Sequence, residues 1–403
     1  MASALSGIKV LDLSGMGPSG LATWMLGDMG AEVIKIDLPP GAGNRGVGDG
    51  IDYLPADRLE AERLAANTTP GRNKKYLALN LRTTAGQSVF HRLAEKSDVI
   101  LESFRPGVMD RMNAGYKAVS KINPRIIYCA VSGYGQTGPY SNLPGHDGNY
   151  VSMAGVQGLI GSREDEAPVF ALNIVADMAV AFQQAVIGIL LAICARERTG
   201  RGQMVDISMT DGVVSLLAGI PQATDYFYSG VAPRRGNMVL SGNRPYYAAY
   251  RTRDNKWLTL CPLEPKFWGN MCRALGRPEL IPQQYDPAKN DELLADLKQI
   301  FLTKNRDEWF DLLARADVPV AKVLDIDELF SDPQVVHRQM VLEMDHPKFG
   351  KVRQLGFAIK LSDTPGTVRS FGGLLGQDTD EVMSATGYAA AEIADLRQQG
   401  VIY

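Results

Sequence analysis

The sequence predicts an α/β protein built on a parallel sheet, with a smaller α+β block in its second half. Three observations carry this. Short apolar runs alternate with amphipathic stretches through the first third of the chain, the pattern of strands feeding crossover helices. After residue 245 a hairpin-like stretch followed by helical stretches breaks that alternation. At 403 residues, 45% hydrophobic and 22% charged, the chain is long enough for two or three domains with a large core.

Taken in order, Ile8–Leu13 (IKVLDL) is the first strand, and the turn Gly15–Gly20 (GMGPSG) leads into a helix over Leu21–Gly30. Ala31–Asp37 (AEVIKID) reads as the second strand. Residues 38–72, with Pro39, Pro40 and several glycines, read as loops wrapping the surface. A helix over Thr84–Lys96 leads into a strand at Asp98–Glu102, and Arg125–Ser132 is a further strand. A long helix over Ala176–Arg198 stops at Thr199-Gly200-Arg201-Gly202, and Gln203–Met209 returns as a strand. Residues 211–240 are irregular and read as a linker. It joins a large domain, 1–210 with 335–403, to a small α+β domain, 241–334. There, 246–262 forms an antiparallel hairpin turning near Asp254-Asn255, followed by helices near 264–275, 290–302 and 305–315. A connection containing Ser331-Asp332-Pro333 leads the chain back to the large domain.

The totals narrow the function. Net charge is -3, and no basic block exceeds a few residues, so neither nucleic acid nor an anionic membrane is the expected partner. Cys129, Cys194, Cys261 and Cys272 are scattered, which fits neither a zinc site nor a disulfide framework and suits a reducing compartment. The N-terminal MASALSGIKVLDLSG lacks the basic and apolar regions of a signal peptide. The longest apolar stretch, Ala185–Ala195, is about half a membrane span and reads as a core helix. The C-terminal Val401-Ile402-Tyr403 is not a peroxisomal address. A cytoplasmic protein is expected.

Three constellations carry chemistry. Gly15-x-Gly17-x-x-Gly20 between strand and helix, with Asp37 ending the next strand, has the spacing of a dinucleotide fingerprint. Pro18 removes a backbone donor from that turn, which favours approach of some other ligand over a nicotinamide or flavin. Arg72-Asn73-Lys74-Lys75, Arg82, Ser103-Phe104-Arg105-Pro106-Gly107 and Arg111 follow the strands and read either as phosphate contacts or as a solvated basic surface. His146 and Asp147 stand at a helix start, Asp177 begins the most apolar helix, and Glu264 sits at a strand-to-helix corner. Each alone reads more often as a helix cap than as a catalyst.

Several segments, in fixed order, resemble the family III CoA-transferases and their α-methylacyl-CoA racemase branch. They are GIKVLDLSGMGPSGLATWMLGDMGAEVIKID, NKKYLALNLRTTAGQ, ESFRPGVMDRM, VSGYGQTGP, TGRGQMVDISM and DPQVVHRQMVLEMDHPKFG. The resemblance spans nearly the whole chain. It implies a large Rossmann-like domain made from both chain ends, an inserted smaller domain and an interlocked homodimer. The ligand it implies is an acyl-CoA thioester, with no cofactor beyond the CoA moiety and no metal. CoA contacts are implied at Leu79, Leu81, Arg82, Ser103, Phe104, Arg105, Arg111, Gly145, Asn149 and Tyr150, with Lys74 and Lys75 as helpers.

The motifs GHD-x-NY, LN-x-x-x-D and EP-x-F place His146, Asp177 and Glu264 at positions matching the racemase branch. Transferases of the family share the aspartate, used as a nucleophile, but as a rule lack the histidine. The resemblance therefore implies α-carbon inversion through an enolate, with His146 and Asp177 as the two bases. A backbone N–H around Asp147 would hold the enolate oxygen, and the partner chain's Glu264 would orient the imidazole. CoA transfer through Asp177 is the alternative. Two departures stand out. Asp37-Leu38-Pro39 replaces an arginine expected just after the second strand, leaving the phosphates to Arg45, Arg72, Lys74 or Lys75. Arg244 and a longer, more charged loop over 45–70 suit a different acyl group, a polar or charged one.

Overall fold

The first unit is organised by strands whose apolar runs are buried on both faces, as a parallel sheet covered by helices requires. A computed structural model describes residues 3–15, 17–39 and 57–403. Its strands are β1 (Lys9–Leu13), β2 (Glu32–Asp37), β3 (Lys74–Ala78), β4 (Val99–Glu102), β5 (Ile127–Ser132) and β6 (Met204–Ser208). All pairings are parallel, in the order β3-β2-β1-β4-β5-β6. The order reverses between β1 and β4, which opens a crevice outside the carboxyl ends of the strands.

Helix α1 (Pro18–Asp28) starts with proline at its first position, where a missing N–H costs nothing. A Cβ at Gly20 would lie 2.9 Å from the Gly15 carbonyl oxygen, so the turn tolerates only glycine there. Helix α2 (Arg58–Asn67) is capped by Asp57, and α3 (Thr84–Glu95) by Thr83, whose hydroxyl accepts the Gly86 N–H at 3.0 Å. The short helices α4 (Val108–Arg111), α5 (Tyr116–Ile122) and α6 (Asp147–Met153) follow. On one sheet face Val89, Phe90 and Leu93 of α3 and Val119 of α5 pack on Leu11, Ile34, Leu77 and Ile100.

The expected long helix runs over 174–199, but not as one α-helix. Ile174–Phe182 is a π-helix, in which the Met178 N–H reaches the Asn173 carbonyl five residues back at 3.3 Å. It continues as α7 (Gln183–Thr199), and α8 (Met209–Leu216) follows β6. The joined stretch is long and apolar enough to cross a membrane, where the sequence suggested only half a span. One face packs inside the first unit, with Ala185, Ile189 and Ala192 buried and Arg196 paired with Asp98 at 2.9 Å. Ile187 and Leu191 are exposed, so it is not the fully buried core helix expected.

The second unit comprises Gly155–Phe170 and Leu216–Asp332. It holds α9 (Pro221–Ser229) and an antiparallel sheet of β7 (Ala248–Arg251), β8 (Trp257–Leu260) and β9 (Val320–Val323). Helices α10 (Pro265–Ala274), α11 (Asn290–Phe301), α12 (Arg306–Arg315) and α13 (Ile326–Leu329) accompany it. Its core joins Tyr250, Leu258 and Leu260 to Trp268, Leu297, Phe301 and Trp309. The boundaries differ from those expected. The linker assigned to 211–240 contains most of α8 and all of α9. Segment 155–170 belongs here because Arg235 donates to the carbonyls of Gly158, Arg163 and Glu164 at 2.8–3.2 Å. Asn243 adds a hydrogen bond to the Ser162 carbonyl at 3.0 Å.

Pro333–Tyr403 packs in the first unit as α14 (Pro333–His337), β10 (Val341–His346), β11 (Gly350–Leu355), α15 (Thr379–Thr386) and α16 (Ala390–Gln398). Val382, Met383, Ile393 and Val401 complete the core under α3, and Ile402 bridges to Leu79 beyond β3. Two loop expectations are corrected: 58–67 is helix α2, and Lys74-Lys75 begins strand β3. Of the region 38–72, residues 40–56 lie outside the described residues.

Candidate active site

A pocket of ≈ 250 Å³ opens at the carboxyl ends of β1 and β2 and just beyond those of β3 and β4. It is lined by Leu13, Ser14 and Gly15 from β1 and its turn, and by Ile36, Asp37 and Leu38 from β2. Leu79, Leu81 and Arg82 come from beyond β3, Phe104 from beyond β4, and Val108 and Met112 from α4 and its end. Leu79, Leu81, Arg82 and Phe104, which the resemblance implies as CoA contacts, line this one pocket. Asp37 and Leu38, which the sequence marked as a departure, line the same space. The walls are mainly apolar, and Asp37 and Arg82 add one charge of each sign. Met16 of the GMGPSG turn and Arg45 lie outside the described residues.

A polar group stands beneath this pocket. Asp12 is fully buried and accepts hydrogen bonds from the Ser14 and Thr23 hydroxyls and from Lys74 Nζ, the last at 3.1 Å. Lys35 donates to the Ser14 carbonyl and pairs with Asp37 at 2.9 Å. Burial works to raise the Asp12 pKa, but Lys74, Lys35 and the two hydroxyls hold it below the usual carboxylate range.

This geometry removes two cations from the expected phosphate set. Lys74 is consumed by Asp12, the Gly20 carbonyl and Thr23. Arg72 is fully buried, bonding Asp28 through two nitrogens at 2.6 and 2.9 Å and lying over the Phe357 ring at 4.7 Å. Each is held because an unpaired buried carboxylate would be costly. Lys75, the second residue of β3, lies opposite Ile34 and pairs with Glu381 at 2.9 Å and Glu32 at 3.4 Å, away from the carboxyl ends. Arg82, Ser103, Arg105 and Arg111 are exposed on the carboxyl-end side.

The GHDGNY stretch is built as a helix start. His146 is the N-cap of α6, and the Asn149 side-chain oxygen accepts the His146 N–H at 3.0 Å. The Tyr150 hydroxyl donates to the Gly145 carbonyl, and its ring meets Tyr134 edge-on at 5.1 Å. A Cβ at Gly133 or Gly145 would overlap that ring, so both glycines are there to admit it. Asn149 and Tyr150, expected at the ligand, thus spend these polar groups shaping the turn that carries His146. Burial pushes the Tyr150 hydroxyl up to about 12, and the charge of Arg105 acts in the opposite direction.

The Asp147 side chain, not only its backbone, has a task. Buried to 5% exposure, its Oδ2 accepts the N–H groups of Ala176 and Asp177 at 2.7 and 2.9 Å. It thereby fixes the first turn of the π-helix to α6. Asp177 stands half-buried beside it, and π-helical segments recur at functional sites. Burial raises the Asp177 pKa first and the Asp147 charge adds to it, while Asn173 and His146 act to lower it. Nothing in the sequence spacing announces this Asp147–Asp177 link. Glu264 lies in the second unit, exposed at the N-cap of α10. Among the described residues no group of His, Cys, Asp and Glu is arranged to hold a metal ion.

Comparison with known proteins agrees with the fold and the motifs. The profile of CoA-transferase family III matches residues 5–379. Human alpha-methylacyl-CoA racemase is 31% identical over 400 residues, covering 99% of this chain and 97% of that protein. The succinyl-CoA–L-malate CoA-transferase beta subunit of Chloroflexus aurantiacus is 32% identical over 411 residues, covering 99% and 98%. A crystal structure of a CAIB/BAIF family protein from Brucella suis superimposes with a TM-score of 0.79 at 27% identity, covering 96% of this chain and all of that one. Racemase and transferase are equally similar, so these likenesses give the family and not the reaction. The chain belongs to CoA-transferase family III.

Proposed function

We propose that the protein inverts the α-carbon of a 2-methylacyl-CoA, or a similar acyl-CoA thioester, by two-base proton transfer. The observation that carries this reading is the placement of His146 and Asp177 on two segments joined by Asp147. One base takes the α-proton, the electron pair moves into the thioester carbonyl as an enolate, and the other base returns a proton to the opposite face. Burial and the neighbouring Asp147 charge raise the Asp177 pKa, which favours a carboxyl that can hold and return a proton, as two-way chemistry needs. The Asp147 N–H, in the first turn of α6, is the donor we assign to the enolate oxygen. CoA is assigned to the crevice, its adenosine end in the pocket of Asp37, Leu79, Leu81 and Phe104 and its phosphates near Arg82, Arg105 and Arg111.

We further propose that the working unit is a homodimer, with Glu264 of a second chain orienting His146. Support comes from aromatic exposure that a lone chain has little reason to keep: Phe227 and Tyr228 of α9 are 89% and 98% exposed. Ile187 and Leu191 add an exposed apolar stripe on α7.

A second reading has its own support: the transferase relative is as similar as the racemase, and Asp177 would serve there as nucleophile toward the thioester. Heavy water separates the two. A racemase puts deuterium on the α-carbon of a 2-methylacyl-CoA without an acceptor acid, and His146→Ala cuts this by about 10²–10⁴-fold. Acceptor-dependent CoA exchange, an Asp177 adduct trapped by hydroxylamine and no α-deuterium would overturn the racemase reading.

A further inference from the structure

Glu102 ends β4 as a carboxyl group inside the parallel sheet, flanked by Leu13 of β1 and Ala130 of β5. It is 4% exposed, and its Oε2 accepts the Phe104 N–H at 2.7 Å. The charged groups that bear on it are Asp110 of α4 and Asp206 of β6, both of its own sign, while Tyr128 and Cys129 of β5 feel it in turn. Among the described residues it forms no ion pair. A sheet has no structural need for such a residue, since a leucine would fill the place without this conflict. What the carboxyl supplies that a leucine cannot is an acceptor for the next loop.

That loop lines the pocket and carries a charge felt at the turn that bears His146. Phe104 lines the pocket, and Arg105 bears on Tyr150, four residues beyond His146. Gly107, at φ +79°, then turns the chain into α4, whose Val108 closes the pocket wall. We propose that Glu102 is a positioning residue: by accepting the Phe104 N–H it sets Ser103–Gly107, and with it Phe104 and Arg105, to receive CoA. The inference rests on the assignment of CoA to this crevice. It also specifies the form in which Glu102 works, as an uncharged acceptor. Burial, with Asp110 and Asp206 adding to it, pushes the carboxyl up to about 8, so it is protonated at neutral pH. Ionisation above that value sets a third negative charge beside Asp110 and Asp206, a repulsion that the stronger hydrogen bond of a charged acceptor offsets only in part.

The test uses the full chain and coenzyme A itself, by calorimetry at pH 7 and pH 9, with amide hydrogen exchange at Phe104 measured without ligand. Glu102→Gln keeps the acceptor and cannot ionise, so it binds within about twofold of wild type at pH 7 and escapes the weakening expected of wild type at pH 9. Glu102→Ala loses the acceptor, raises the Kd about tenfold and exposes the Phe104 amide to faster exchange, as the loss of one buried hydrogen bond predicts. Wild-type affinity and protection in Glu102→Ala would overturn the proposal, as would a Gln variant impaired like the Ala variant. Should Glu102→Ala not fold, the Gln variant decides alone: a pH 7-to-9 weakening identical to wild type overturns it. If wild type binds no CoA, the ligand assignment fails, and Phe104 exchange in the variants still decides the anchor.

Discussion

Asp147→Asn probes the join between α6 and the π-helix. The wild-type carboxylate accepts two N–H groups, from Ala176 and Asp177, in a buried place. Hydrogen bonds to a charged acceptor contribute about 1.5–3 kcal/mol each and those to a neutral one about 0.5–1.5, so the amide gives up about 1 kcal/mol per bond. The loss is then about 2 kcal/mol, a fall of about 4–8 °C in Tm for a unit of this size. Activity responds in a second way. Burial raises the Asp177 pKa and the Asp147 charge raises it further; the amide removes only the second contribution. Asp177 then ionises at lower pH, and the acid limb of the kcat/KM profile moves to lower pH. Stability follows the same sign. A carboxyl with a raised folded pKa stabilises the fold below its unfolded pKa and loses that contribution as pH rises through the folded value. The variant shows a shallower decline over that window. Scanning calorimetry and pH-rate profiles measure both. An unchanged Tm together with an acid limb that stays put or moves upward would refute the described coupling of Asp147 to Asp177.

Other outcomes follow from the same contacts. Lys74→Met leaves Asp12 buried without its Lys74 partner and destabilises the protein by about 3–5 kcal/mol, while Lys75→Ala leaves KM for the thioester within about twofold; a large KM rise for Lys75→Ala would return that residue to the phosphate site. Gly133→Ala forces its Cβ onto the Tyr150 ring, so kcat falls at least about tenfold while the circular dichroism spectrum is retained; wild-type kcat would show that the ring does not hold the His146 turn. Mixing inactive His146→Ala chains with inactive Glu264→Ala chains, refolded together, restores part of the activity; complete inactivity of the mixture would count against a site shared between chains.

The fold was legible where burial imposes a pattern. β1, β2, β4 and β5 are apolar runs because both faces are covered, and the GMGPSG turn was readable because Gly20 must sit against the Gly15 carbonyl. β3 was not legible: its first residues, Lys74 and Lys75, look like an exposed basic loop. Only the parallel register reveals the difference. Lys74 lies across from Val33, two residues before the Lys35 that stands opposite Asp12 in the sheet register, and its ammonium reaches that carboxylate. A lysine chosen as an anion ligand from sequence was therefore already answering an anion within the fold. Arg72 repeats the lesson with Asp28, a partner 44 residues away that no local spacing reports. The candidate site was legible as residue types and not as relations. His146 and Asp147 stood out as neighbours in a histidine-poor chain, yet the Asp147 carboxylate works on a segment 30 residues on, through backbone N–H groups that every sequence contains. The π-helical turn bearing Asp177 was hidden for a similar reason. An all-round apolar stretch has no face, so it cannot report whether its hydrogen bonds reach back four residues or five. A shift of one residue in that ladder would turn Asp177 by about 100° about the helix axis, away from the Asp147 side chain that now holds its N–H. The hydrogen bonds from Ala176 and Asp177 oppose that shift, which makes the Asp147 carboxylate the part of the site on which the geometry of the other two groups depends.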